Sequence, residues 1–412
     1  MTFSIKDHIA KLTLADLGLS WIIFFSIVYQ KLVPIGFGIM LLSLVFKRQK
    51  ITKPDLISFF SKGPAIWFIL YYFLLVIGLL WTENQSFAMS KLENKLSFIL
   101  IPILLFYTVR KWNNLDWKQL LVYALIFALV MYEILALWRY ISQTENSWQF
   151  EFLSSRFSVF MHRSYFACYL VIGIILLFER LKTAFSVSTI ALLCFFSIGV
   201  LQTESKAGIV CLFLVFIVQF FSFLKSKQKK IVLLFTTSLL FLIGTLLFSD
   251  NPIKSRFETM FSAIGNIQTK NNKSIESNTA RILMWNASID VWKENLVFGT
   301  GTGDYDDELT AKNREYKNLG VAQERLNSHN QFLNSAVQLG LVGFFVLLMI
   351  FVSSYFFSEK KMWQVLILVV FLINFLVESF LETQSGIVLF CVILILFLSN
   401  QEHTKSKTIS IQ

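Results

Sequence analysis

Apolar runs of roughly 15 to 25 residues recur along this chain, separated by short charged connections, and nothing else in the sequence constrains its fold so tightly. Runs of that length are what helices crossing a hydrocarbon core of about 30 Å require. Composition excludes an ordinary soluble multidomain protein of this size. Of 412 residues, 55% are hydrophobic and 16% aromatic, and only 15% are charged. The expected fold class is an all-α, polytopic integral membrane protein, one membrane domain over residues 1–412. Residues 1–14 are polar and are not followed by a short apolar region ending in a small-residue cleavage site, so the first apolar segment is expected to stay in the membrane.

The stretch 14–46 is too long for one span and is interrupted by Gln30, Lys31 and Pro34, which predicts a hairpin of two short helices. Further spans are expected at 64–81, 96–109, 118–140, 162–178, 186–201, 207–224, 231–248, 331–357, 362–377 and 386–398. About twelve helices with both termini cytoplasmic put every dense Lys/Arg cluster (47–50, 110–111, 179–182, 225–230, 359–361) on the inner side, as the positive-inside bias demands. A polar stretch on the order of 80 residues, 249–330, then lies outside the cytoplasm between the ninth and tenth spans, where nucleotide-activated donors are absent. Within it, 266–278 reads as low-complexity and mobile, and 279–295 as an amphipathic helix capped by Asn278 or Thr279, with Arg281 and Trp285 on one face. No whole-domain repeat is evident, so the symmetric halves of many transporters are missing.

The net charge of +11 and pI near 9.4 would suggest nucleic acid in a soluble protein; with the basic residues gathered in alternate loops, no nucleic-acid partner is expected. Cys168, Cys194, Cys211 and Cys391 all fall in apolar runs without metal-ligand spacing, which predicts buried structural thiols.

Of four histidines, His8 and His403 sit in polar tails. His329 falls where the polar stretch becomes a membrane helix, with Asn327 or Ser328 as candidate caps. Beside a helix N-terminus, which carries about half a positive charge, a neutral imidazole is favoured and can accept a proton from an attacking hydroxyl. The competing reading is an interfacial histidine that only hydrogen-bonds the loop. Lys206 and Glu204 stand at the outer mouth between two spans; charge beside hydrocarbon marks a substrate path, against a snorkelling lysine and a carboxylate in water. Arg281 is solvated on its helix or clamps a phosphate with its fork of donors. Glu378 and Glu382 frame the last outer turn, where they either hold cations or sugar hydroxyls or are solvated. His162 and Arg163 open the sixth span and extend the same polar surface. Glu133, inside the fifth span, is read as a structural hydrogen-bonding group. Gly299-Thr300-Gly301-Thr302-Gly303 is a turn cluster outside any βαβ unit, so nucleotide binding is not expected, and Asp304–Asp307 reads as a solvated turn, with no metal site.

Taken in order, these features resemble the O-antigen ligase and polymerase superfamily of membrane glycosyltransferases. The resemblance is carried by Ser205-Lys206-Ala207-Gly208 opening a span, Arg281-Ile282-Leu283-Met284-Trp285, Gly299-Thr300-Gly301, His329-Asn330 and Gly340-Leu341-Val342-Gly343. One departure is Lys206, where the family usually has arginine; lysine keeps the charge but loses bidentate phosphate geometry. The resemblance implies metal-independent, cofactor-free transfer of a glycan from a polyprenyl (undecaprenyl) pyrophosphate carrier to an acceptor hydroxyl, such as lipid A core, in lipopolysaccharide biosynthesis on the periplasmic face of the bacterial inner membrane. It implies His329 as the base that deprotonates or orients the acceptor. Arg281 and Lys206 would neutralise the departing pyrophosphate, and Asn330, Glu378, Glu382, His162 and Arg163 would support the site. Joining two lipid-linked glycans, as a polymerase does, is the alternative, and a lipid-linked oligosaccharide flippase or transporter a more distant one.

Overall fold

The structure, a computed structural model, describes residues 13–46, 59–60, 63–109, 115–142, 147–153, 156–224, 232–233, 236–240, 244 and 277–409, and among them it contains helices and no strand. The expected basic clusters at 47–50, 110–111 and 225–230, most of the ninth apolar run at 231–248, most of the low-complexity stretch at 266–278 and His8 lie outside the described residues.

The predicted hairpin at 14–46 is present as α1 (Leu14–Val28) and α2 (Val33–Phe46). Thr13 starts α1 with a reciprocal cap: Asp16 N–H donates to the Thr13 hydroxyl while the Asp16 carboxylate accepts the Thr13 N–H. The two helices meet so closely that a Cβ on Gly18 would come within 2.6 Å of Met40 Cγ. There follow α3 (Ala65–Ile77), α4 (Gln85–Lys95), α5 (Ser97–Val109), α6 (Trp117–Ser142), the short α7 (Trp148–Phe152), α8 (Arg163–Thr183), α9 (Val187–Gln202) and α10 (Lys206–Phe223). Beyond the gap come α11 (Ser277–Glu294), α12 (Tyr305–Glu315), α13 (Leu319–Gln323), α14 (Gln331–Phe356), α15 (Met362–Val377) and α16 (Gln384–Ile409). Among the described residues, α6, α8, α10 and α14 are long and apolar enough to cross a membrane, with shorter apolar helices beside them.

Helix α8 is the axle of the bundle. Every residue from Ser164 to Phe178 is buried, against α6, α9, α10 and α15. A helix apolar on all sides belongs in the interior of a bundle, and its sequence shows no polar stripe that could face anything else. Cys168, Cys211 and Cys391 are buried free thiols, and Cys194 is half-buried.

Several boundaries differ from expectation. The stretch 82–95, which the expected spans at 64–81 and 96–109 leave as an outer connection, contains the helix α4, capped by Asn84. Helix α11 starts at Ser277, so Asn278 and Thr279 sit inside its first turn and not at its cap. The last helix continues past its apolar part through the polar residues to Ile409.

The largest departure is in α14, which has one non-helical residue in its middle, Gly340 at φ 65° and ψ −159°. The break exposes main-chain carbonyls, and the Gly299–Gly303 turn occupies them: Thr300 N–H donates to Val337 O at 2.9 Å and Gly301 N–H to Gln338 O at 3.1 Å, while Leu341 N–H donates to Leu296 O at 2.9 Å. Irregular backbone at the edge of a helical bundle persists only where other protein groups satisfy it. A Cβ on Gly340 would stand 2.1 Å from Val297 O, so the close approach itself requires glycine. Helices α11, α12 and α13 thereby form a lobe seated on α14, with a small core of Met284, Val291, Tyr305, Leu309 and Val321 closed by Val337 of α14.

Candidate functional site

Where the lobe meets the bundle, the segment from Glu378 to Glu382 lies between α15 and α16, and both of its carboxylate side chains are buried. Glu378 gathers three groups. Arg281 of α11 donates from one terminal nitrogen to Glu378 Oε1 at 2.6 Å and from Nε to Val377 O at 3.1 Å. Ser164, in the first turn of α8, donates to the same Oε1 at 3.1 Å. His329 Nδ1 lies 3.3 Å from Oε2. Burial by itself would raise the Glu378 carboxyl, but the hydrogen bond from His329 and the charges of Arg281, His162 and His329 outweigh it and hold it down at about 2. An ionised carboxylate only accepts, so Nδ1 of a neutral His329 carries the proton and Nε2 keeps its lone pair.

His329 is placed by local chemistry. Sequence reasoning put it in the first helical turn, capped by Asn327 or Ser328; in the structure Asn330 is the cap, its Oδ1 accepting from Leu333 N–H at 3.1 Å. His329 stands just before it in the left-handed region, φ 44°. Asn327 Oδ1 accepts the His329 N–H at 3.0 Å, and Ser328 is tied to Ser288 of α11 at 2.9 Å. A non-glycine residue at positive φ is strained, and here neighbours on both sides hold it.

The other candidates fall at the same end of the bundle. The ring of His162 packs against Tyr165 at 5.4 Å, and the charges of Glu378, His329 and Arg281 act on it; Arg163, next in the chain, opens α8 beside it. Lys206 opens α10 behind the cap Ser205, whose hydroxyl accepts from Gly208 N–H at 3.2 Å. Gly208 packs on Ala167, so that a Cβ there would meet Ala167 Cβ at 2.5 Å, and Ala167 lies one turn along α8 from Ser164. Lys206 is thus at the level of the Glu378 cluster, one helix away. Glu204, read as a carboxylate in water, is instead buried, with φ 49°. Glu133 has Gln202 as its hydrogen-bonding neighbour.

Glu382 builds a second cluster. It is salt-bridged to Lys95 at 2.7 Å and to Lys91 at 3.0 Å, and accepts from Tyr305 at 2.9 Å and Asn334 at 2.9 Å. Burial would raise this carboxyl too; the two ammonium groups overcome it and hold it at about 2. Sequence reasoning missed Lys91, Lys95, Tyr305 and Asn334. The one available signal is the four-residue spacing between the lysines, which puts both on one face only if the connection between two expected spans is itself helical.

The acidic run at 304–307 is not a solvated turn. Asp304 accepts from Glu83 and Asn84 N–H, both at 2.8 Å, while Asp306 and Asp307 pair with Arg325. Asp304, joined by Asp307, which accepts from Asn84 Nδ2 at 2.8 Å, clasps the lobe to the loop before α4, while Asp306 pairs within the lobe.

The family described as O-antigen ligase matches residues 190–349, from within α9 to within α14. The match supports the O-antigen ligase and polymerase superfamily, whose members are glycosyltransferase-like enzymes, and together with the apolar helices it marks an integral membrane protein. It takes in Lys206, Arg281, His329 and Asn330, while Glu378, Glu382, His162 and Arg163 lie outside it. Over 141 residues the chain is also 31% identical to an uncharacterized protein of Haemophilus influenzae; the alignment covers 33% of this chain and 34% of that protein, so the chain spans about a third of the length of the curated relative it matches.

Proposed function

We propose that this protein transfers a glycan from a polyprenyl pyrophosphate carrier to a hydroxyl of an acceptor such as lipid A core, as an O-antigen ligase does. The observation that carries the reading is Glu378, an ionised carboxylate shared between the imidazole of His329 and the guanidinium of Arg281. It orients the ring so that Nε2 accepts the proton of the attacking hydroxyl. The acceptor oxygen bonds to the anomeric carbon as the bond from that carbon to the pyrophosphate oxygen breaks, and the leaving group stays on its lipid. Its growing negative charge is met by Arg281, by Lys206 as a point charge, and by the N-terminus of α14 behind Asn330. Protein cations fill the role a metal would, so turnover is expected to persist in chelator.

In this reading the chain crosses the bacterial inner membrane about twelve times with both termini cytoplasmic, and the lobe of α11 to α13 belongs to a periplasmic segment spanning 249–330. The test is a reconstituted assay with purified lipid-linked glycan, offering lipid A core or a second lipid-linked glycan as acceptor. Product on lipid A core is expected, and His329→Ala should cut its rate by roughly 10²- to 10⁴-fold while the protein still folds and elutes as the unmodified one does. Product with the second lipid-linked glycan alone would assign polymerisation instead, and undiminished turnover by His329→Ala would remove the base assignment.

A further inference from the structure

Glu382 takes no part in the chemistry above, yet it is the more fully bonded of the two carboxylates. Oε1 accepts from Lys95 Nζ and Asn334 Nδ2, and Oε2 from Lys91 Nζ and the Tyr305 hydroxyl. Two bonds to each oxygen nearly fill the acceptor capacity of a carboxylate. The donors come from three separate elements: α4, α12 and α14. Lys95 has no exposed surface, and burial draws its ammonium down from the usual lysine range while Glu382 pushes it back up. Burying such a pair costs desolvation that its attraction only about offsets, so stability alone is a weak reason for its presence.

Its place in the fold supplies a stronger one. The segment 378–382 is a short bracket between two buried carboxylates. Its middle is held by Leu381 N–H, which donates to Gln331 Oε1 at 2.6 Å, and by Tyr165, which donates to Ser379 O at 3.2 Å. Gln331 is the first residue of α14 and Asn334 lies one turn from the cap Asn330. The far end of the bracket is therefore fastened to the same helix whose start carries His329, while the near end presents Glu378 to the His329 ring.

Lys95 belongs to α4 and also donates to Gln338 Oε1 of α14 at 3.4 Å, so the ion pair and Asn334 together join the bracket to both helices. We infer that the Lys95–Glu382 pair is a positioning device, clamping the bracket 378–382 between α4 and α14 so that the Glu378 carboxylate stays on His329 Nδ1. Its consequence for catalysis rests on His329 being the base, but its geometric content does not, and the test uses a readout that needs no turnover. The full-length protein in detergent, with 13C-labelled histidine, is titrated by NMR, and the His329 signal is assigned by its loss in His329→Asn. The charged groups around that ring are Glu378, Arg281 and His162, with Arg163 beyond. Glu378→Gln removes the facing carboxylate directly and sets the reference, a downward shift of the His329 midpoint. The double variant Lys95→Met/Glu382→Gln removes one positive and one negative charge, so its net direct field on the ring is nearly nil and a positional effect remains.

The double variant is expected to lower the midpoint by at least half the shift of Glu378→Gln, and to add nothing when combined with it. A folded double variant whose His329 titrates as in the unmodified protein would overturn the inference, as would shifts that simply add. If the double variant does not fold, Glu382→Gln alone is read by its combination with Glu378→Gln: a shift that vanishes in that background supports the clamp, and one that persists overturns it. In the transfer assay the double variant should lower kcat about tenfold or more with KM nearly constant, because Arg281 with its partner Glu378 and Lys206 are left in place. A protein with no transfer activity but with the expected titration shifts would sink the functional reading and leave the clamp standing.

Discussion

A single side chain, Glu378, decides what the histidine beside it can do. Loops often leave carboxylates in water, and nothing in the residues around Glu378 says otherwise; burial works against its ionisation, and the hydrogen bond from His329 with the charges of Arg281 and His162 is what holds it ionised. The same environment makes stability depend on pH in a definite direction. Glu378 and Glu382 are held at about 2 in the folded chain, against an ordinary 4.5. Between those values the unfolded chain binds more protons than the folded one, so stabilisation is complete above about pH 4.5 and is lost progressively as pH falls toward 2. Thermal unfolding in detergent should show a midpoint nearly flat above pH 5 that drops steeply below 4.5. Glu378→Gln should make the drop shallower, and an unchanged slope would count against Glu378 as one of its sources. His329, Arg281 and Glu378 could each be named from the sequence, because a histidine or charged residue at the edge of an apolar run is conspicuous. Lys95 could not, since a lysine destined for complete burial looks the same in a sequence as one destined for water.

Among the helices, α14 carries the most information. Its composition reads as one continuous span, yet it is broken at Gly340, and the carbonyls freed by the break are the seat of the lobe. A glycine in an apolar run ordinarily signals close packing; at φ 65° and ψ −159° it signals a conformation that other residues adopt only under strain. Gly340→Ala should therefore cost about 1–3 kcal/mol for the backbone alone, with more from the contact to Val297 O, and should loosen the lobe as well as the helix. Gly38→Ala is the control: it lies in α2 with nothing within 4 Å of an added Cβ, and is expected to be neutral or stabilising by up to about 1 kcal/mol. Equal unfolding temperatures for the two variants would mean that the break is not a structural requirement. The glycine turn at 299–303 was legible as a turn; that it serves as a clasp for another helix was not, because its partners lie some forty residues away in the chain.

For the whole molecule, the alternation of apolar runs with basic clusters predicts which end of the bundle faces which compartment. Arg314, exposed on α12, and Arg180, exposed in the last turn of α8, should then lie on opposite sides. In a cysteine-free background, a membrane-impermeant thiol reagent added to cells with a permeabilised outer membrane should label Arg314→Cys and spare Arg180→Cys; the reverse pattern would invert the orientation. What the sequence determined by itself is the helical class and the rough position of most helices, because hydrophobic run length is a local property set by the thickness of a bilayer. What the tertiary structure alone decided is the meeting of Arg281 on α11, Ser164 on α8, Glu378 after α15 and His329 before α14. Those four groups span more than two hundred residues of chain, and they converge only because a broken helix seats the lobe and because burial in one cluster makes each charge depend on its neighbours.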